Sequence, residues 1–454
     1  MIDSSVLLQL LGWLIVIGIG VPFSIGLHEI GHLVPAKKFG IKCPQYMIGF
    51  GPTIWSRQVG ETEYGVKAIP LGGYVRMLGM FPPKPGKKAR ADTTGRLGLF
   101  IDSARQEAQR EIGPEDGDRL FYQRSVPKRL IVMLGGPTMN LVIAIVAFTA
   151  LLTLHGLPTL STTIQTVSQC VVPVATDTAA KDRACTAEDP KAPAAAAGLL
   201  PGDQIVGFAG KPVTGWAEVR DQIRANTGTP VSLVVERGGA QVTTEVTPLV
   251  EQRYVLDSEG NPVKGADGKY ETTAVGFLGV SPAYRQVPVA ITEVPGHIGG
   301  MVGQVVSAVP EIPAKVYGIA KTVFAGAERD PEGPASIIGV GRLAGEVGAA
   351  EGTAASPVTF ADRFWSWISL IGGLNLALFV FNLVPLLPLD GGHAAGALWE
   401  GARRQVNRLL KRPDPGPVDI ARLLPMTYVV GSLLLLMSVL VMYADLVDPI
   451  TFSG

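Results

Sequence analysis

Four long apolar runs constrain this chain more than any other feature. They extend over about Val6 to Val34, Leu130 to Leu154, Phe364 to Leu389 and Leu424 to Val447. Each meets the ~20 residues a helix needs to cross a hydrocarbon core. Backbone polar groups in lipid must be satisfied within helices or closed barrels, so few folds remain open. The fold class expected is a polytopic α-helical membrane protein with four transmembrane helices. Composition agrees, with 47% hydrophobic residues, 17% charged residues and a mean hydropathy of +0.30. The formal net charge is zero and no basic patch stands out, which argues against a nucleic-acid partner. The first run lacks a basic leader and continues into charged residues, so a retained span is expected rather than a cleaved signal peptide.

Lysine and arginine placement orients the spans. Lys37, Lys38 and Lys42 follow the first, Arg124, Lys128 and Arg129 precede the second, and Arg403, Arg404, Arg408, Lys411 and Arg412 lie between the third and fourth. Positive residues stay inside, so these segments are expected in the cytoplasm and both termini outside a cell membrane. The resulting division is a first span over 1–36, a cytoplasmic segment over 37–128 and a second span over 129–157. An extracytoplasmic domain with its linker follows at 158–286, then an amphipathic segment at 287–363. The third span covers 364–391, a cytoplasmic basic helix 392–423, and the fourth span 424–447.

Inside the first span lies His28-Glu29-Ile30-Gly31-His32. On a helix, positions i and i+4 share a face, so both imidazoles can grip one metal ion, with Glu29 one position round as a base. The alternative, a polar patch holding helices together, is disfavoured because such residues in a span are expensive and need a functional reason. Two histidines and a carboxylate suit Zn2+, and a hydrolytic zinc keeps three protein ligands and one open position. The third run offers Asp390 at its end, at a depth matching the histidines, with Pro385 and Pro388 breaking the helix before it. Glu29 would then take a proton from the attacking water and pass it to the leaving amine.

These residues, together with Gly49-Phe50-Gly51-Pro52, Pro70-Leu71-Gly72-Gly73-Tyr74, Gly135-Gly136-Pro137-Thr138-Met139-Asn140 and Asn382 to Gly392, resemble the site-2 protease family of intramembrane zinc metalloproteases. Within it they are similar to the bacterial RseP-type branch. The resemblance covers most of the chain. It implies His28, His32 and Asp390 as ligands, Glu29 as the catalytic residue and Asn382 as a contact to substrate backbone. It also implies a membrane-dipping β-loop, placed at 46–77, where Gly72, Gly73 and Tyr74 would receive an unwound substrate by strand addition. The expected substrates are single-span membrane proteins, anti-sigma factors among them and remnant signal peptides as a further class, cleaved within the lipid bilayer.

Outside, Gly198-Leu199-Leu200-Pro201-Gly202-Asp203 precedes strand-like Ile205 to Phe208, a helix from Trp216 to Ala225, and strands near Val231 to Arg237 and Val242 to Val246. This order resembles one PDZ domain over about 165–285, with Gly198, Leu199, Leu200 and Gly202 as a carboxylate-binding loop. A linker over 174–197 and an insertion over 251–273, with a turn at Asp257 to Pro262, complete the region. Residues 287–355 read as surface-hugging helices, since Pro310 and Pro313 interrupt any fifth span. In the cytoplasmic segment, Pro82 to Lys88 reads as a turn and Leu99 to Ile112 as a helix, while Arg403 to Arg412 suits anionic lipid. For Cys170 and Cys185, a disulfide and two free thiols both stay open.

Three rival functions fit these residues less well. A PDZ scaffold with a structural metal has no use for Glu29. An ion transporter would be expected to show an inverted repeat. A tethered protease acting on soluble proteins would carry its histidines in an aqueous domain.

Overall fold

The computed structural model describes residues 4–83, 103, 105–171, 185–186, 188–255, 263, 271–326, 329–330, 333–350 and 358–448. Most of the turn expected at Pro82 to Lys88, the 174–184 part of the linker and the turn at Asp257 to Pro262 lie outside these residues. The chain divides into two compact units. One comprises Met1–Thr153, Ala290–Ala349 and Arg363–Gly454; the other comprises Leu154–Val289 and Ala350–Asp362.

Four helices among the described residues are long and apolar enough to cross a membrane: Val6–Lys38, Val126–His155, Phe360–Leu383 and Ile420–Val447. The first is built from α1 (Ser4–Trp13), a π-helical stretch Leu14–Gly20 and α2 (Val21–Lys38). Pro22 does not interrupt this span. It occupies the first turn of α2, where its missing N–H falls next to the widened π-turns.

Two strands follow, β1 (Gln45–Val59) and β2 (Thr62–Arg76), where the β-loop was expected. They fold over into a small sheet, because Tyr46 pairs with both Tyr64 and Val75, and Ile48 with both Val66 and Gly73. The Gly73–Val75 stretch therefore forms one edge. Phe50, Ile54, Trp55 and Val59 on the outer part of β1 are exposed.

Helix α3 (Val126–Ala150) crosses α2 with backbone almost touching backbone. A Cβ on Gly135 would fall 1.9 Å from the Gly31 carbonyl oxygen, and one on Gly31 2.3 Å from that of Gly135. Small residues at such a crossing let two membrane helices pack where lipid offers no hydrophobic drive.

The second unit carries a sheet ordered β10-β3-β4-β6-β7, with β5 on β4. Its elements are β3 (Leu157–Val167), the short α4 (Pro193–Ala196), β4 (Gln204–Phe208), β5 (Lys211–Pro212), α5 (Trp216–Ala225), β6 (Val231–Arg237) and β7 (Ala240–Val246). The ribbon of β8 (Leu249–Tyr254) and β9 (Thr272–Phe277), then β10 (Val280–Val287), complete it. Ile164, Ile205, Phe208, Leu233 and Val235 fill the core. The linker is corrected at its C-terminal end: α4 is helical, and Ala194 is fully buried in the same core. Cys170 and Cys185 form a disulfide.

Three helices occupy the segment read as surface-hugging: α6 (Val294–Ala308), α7 (Ile312–Ala325) and α8 (Ile337–Ala349). For α8 this is a correction. Its buried glycine face packs along α1, with the Ala344 carbonyl accepting from Trp367 Nε1 at 2.9 Å. Its glycines give close helix contact. The third span is α9 (Phe360–Leu383), shorter than expected. The chain then leaves the helical path at Pro385 and Pro388 before α10 (Asp390–Leu409), and α11 (Leu424–Val447) is the fourth span. Of the helix expected at Leu99 to Ile112, residues 105–110 are helical and 99–102 lie outside the described residues.

Candidate metal centre

The i, i+4 spacing on α2 puts both imidazoles on one face, towards α3, with His32 almost wholly buried. Asp390 joins them from the first turn of α10, rather than from the end of the third span, because the two prolines terminate α9 at Leu383. The three donor atoms form a nearly equilateral triangle. His28 Nε2 lies 3.2 Å from His32 Nε2, and Asp390 Oδ2 lies 3.3 and 3.4 Å from the two nitrogens. Tetrahedral zinc at about 2.0–2.1 Å from its ligands requires donors about 3.3–3.4 Å apart. The triangle fits that ion, and no other His, Cys, Asp or Glu cluster of this kind occurs among the described residues.

Room for the ion depends on α3. A Cβ on Gly136 would stand 2.2 Å from His32 Nε2 and 2.7 Å from His28 Nε2, in the space a metal needs. The same helix holds the rings from behind. His32 Nδ1 donates to the Val132 carbonyl at 2.7 Å, and His28 Nδ1 lies 3.1 Å from the Asn140 amide. Val132, Gly136 and Asn140 are spaced i, i+4, i+8, one stripe down one face.

Glu29 is buried beside this cluster, against the edge of the small sheet. A Cβ on Gly73 would fall 2.9 Å from Glu29 Cγ. Gly73 pairs with Ile48 and Tyr74 with Met47, so these two of the three expected β-loop residues lie on that edge, and Gly72, with a positive φ of 117°, immediately precedes it. Tyr46 fastens the sheet to α2 by donating to the Gly26 carbonyl at 2.8 Å, and burial pushes its hydroxyl pKa up to about 12. Burial likewise pushes the Cys43 thiol up to about 12, which makes it an inert core residue. Asn382 lies in the last turn of α9, half-buried, outside the donor triangle.

Several residues at or near the centre escaped the sequence reading. Gly136 and Asn140 lie in a motif noted only for resemblance. Asn375, fully buried on α9, donates to Ser24 Oγ at 2.8 Å one turn before His28. Asparagines inside spans are the signal that points to them, since such residues are costly in lipid. His393, one turn after Asp390, has a buried Nδ1 with no partner among the described residues.

The loop Gly198 to Gly202 does not do what its glycines suggest. Its amides are already used: Gly198 N donates to Ala195, Leu199 N to Ala194, Gly202 N to Ile164, and Leu200 N to the Asp203 carboxylate. Leu199 is buried in the core. Burial would raise the Asp203 pKa, but the Arg237 guanidinium at 2.7 Å and the Leu200 amide hold it below the usual range. A loop closed on itself has no amides left for a carboxylate.

Comparison with known proteins places these observations in a family. The profile of peptidase family M50 matches residues 15–411. The chain is 33% identical over 447 residues to zinc metalloprotease Rip1 of Mycobacterium tuberculosis, covering 96% of this chain and 98% of that protein. It is 28% identical over 393 residues to metalloprotease MmpA of Caulobacter vibrioides, covering 83% and 84%. It is 26% identical over 418 residues to zinc metalloprotease RasP of Geobacillus kaustophilus, covering 80% and 84%.

Proposed function

Since the chain belongs to peptidase family M50, the site-2 proteases, and is a membrane zinc metalloendopeptidase, we propose that it cleaves single-span membrane proteins within the bilayer at the His28–His32–Asp390 centre. The observation that carries this reading is the donor triangle, sized for tetrahedral zinc, with buried Glu29 beside it. Bound there, zinc would activate water and polarise the scissile carbonyl. Glu29 takes the water's proton during attack and returns it to the departing amine. The Gly73–Val75 edge receives the unwound substrate as an added strand, which frees its carbonyls from helical hydrogen bonds, and Asn382 holds substrate backbone. Both termini and the second unit lie outside the cell and the centre near the cytoplasmic side, following the basic segments. Anti-sigma factors and remnant signal peptides are the substrate classes the resemblance implies.

Glu29→Gln is the test. The variant should bind zinc as the wild type does and cleave a tagged single-span substrate about 10²–10⁴-fold more slowly. Full cleavage by the variant would remove Glu29 from the mechanism. Absence of cleavage by zinc-loaded wild type on every membrane substrate offered would count against the protease reading itself.

The second unit is read as one PDZ-type domain with its groove away from Gly198. Strand β10 is an edge of the sheet, and a cavity of about 200 Å³ lies between α5 and the Gly276–Val280 turn, lined in part by Trp216, Arg220, Ile223 and Gly279. An edge strand, a helix and arginines suit a peptide ending in a free carboxylate. Such peptides should bind the full chain and lose affinity in Arg220→Glu. Equal binding of C-terminally amidated peptides would refute carboxylate capture.

A further inference from the structure

A histidine that binds metal turns one ring nitrogen to the ion and the other away from it. For a neutral imidazole this is the deciding detail. The nitrogen that binds metal must be bare, so the proton has to sit on the opposite nitrogen and needs an acceptor there. His32 has one: its Nδ1 donates to the Val132 carbonyl, which leaves Nε2 bare towards Asp390. For His28 the group 3.1 Å from Nδ1 is the side-chain amide of Asn140, 1% exposed, with its Nδ2 inward while its Oδ1 is buried without a partner among the described residues. The two ends of an amide have nearly the same shape, and the hydrogen-bond network decides between them.

We propose that Asn140 is the positioning residue for His28: its Oδ1, with the amide reversed, accepts the Nδ1–H and so fixes the tautomer whose bare Nε2 faces the metal. The orientation with Nδ2 inward cannot serve. It would donate into the Nδ1 lone pair and force the ring proton onto Nε2, 3.2 Å from His32 Nε2 and in the path of the ion. Reversal exchanges one unpartnered buried atom for another and adds the bond from His28 to zinc. Together with the Val132 carbonyl and the open space at Gly136, one face of α3 then orients both histidines and leaves room for the ion. The inference rests on the metal centre proposed above.

The test compares Asn140→Leu and Asn140→Asp in the full-length protein, reading zinc affinity by chelator competition and the visible spectrum of the cobalt-substituted form. A carboxylate can only accept, so Asn140→Asp should keep wild-type zinc affinity and the tetrahedral cobalt spectrum. Asn140→Leu should bind zinc about 10–100-fold more weakly, with an altered spectrum. Wild-type affinity in both variants overturns the inference. Equal loss in both overturns it too, because it would make Asn140 a packing residue. Should Asn140→Leu not fold, Asn140→Asp decides alone: retained affinity supports an acceptor at this position and weakened affinity refutes one. Wild type failing to bind zinc at all would instead sink the metal centre.

Discussion

Gly136→Ala should deprive the enzyme of its metal while leaving the helix that carries the substitution intact. Alanine is the better helix former by about 1 kcal/mol, so α3 itself gains nothing but stability from the change. The added methyl, however, stands 2.2 Å from His32 Nε2 and 2.7 Å from His28 Nε2. It cannot move aside, since a Cβ is fixed by its backbone, and α3 cannot retreat without opening the Gly31–Gly135 crossing one residue away. The rings must therefore rotate away, and the donor triangle is lost. The activity loss should exceed the about 10–100-fold typical of removing a ligand's supporting hydrogen bond. Zinc per polypeptide should fall towards zero at unchanged helicity, read by metal analysis and circular dichroism. A variant with full zinc and full activity would show that α3 does not face the centre as described.

That role was only half legible beforehand. The Gly135-Gly136 pair stood out in an apolar run, but which glycine serves the helix crossing and which serves the metal depends on how α3 is rotated about its axis. No periodicity states that angle. The histidines were legible because their spacing is a property of one helix, and Asp390 because so few carboxylates lie near a span end. The prolines before Asp390 correctly marked a broken helix, although the aspartate belongs to the helix that follows. Contacts between distant segments were the weak point. A glycine-rich loop at Gly198 looks like an anion cradle until its amides are traced to Ala194, Ala195, Ile164 and Asp203. Likewise α8 looks superficial until its glycine face meets α1.

Asp390 reaches the histidines only if α10 is held in place, and Glu400 is a buried polar tie that holds it. This carboxylate is wholly buried and accepts from Arg129 near the start of α3, from Arg404 at 3.0 Å and from the Val418 amide at 2.9 Å. Glu400→Leu would leave Arg129, only 3% exposed, as an unpaired charge, at a cost of about 3–5 kcal/mol. Melting should drop accordingly and zinc should bind more weakly, because Asp390 lies on the same helix about 15 Å away. The Arg129→Met, Glu400→Leu double variant separates two roles. Buried ion pairs replaced by apolar residues of similar volume are often neutral or stabilising, so stability should return in the double variant. If zinc affinity returns with it, the pair acts as an anchor that apolar packing can replace. If stability returns and zinc affinity does not, the angle at which α10 presents Asp390 depends on the charged hydrogen bonds themselves, and α3 governs all three ligands, two of them from behind and the third through Glu400.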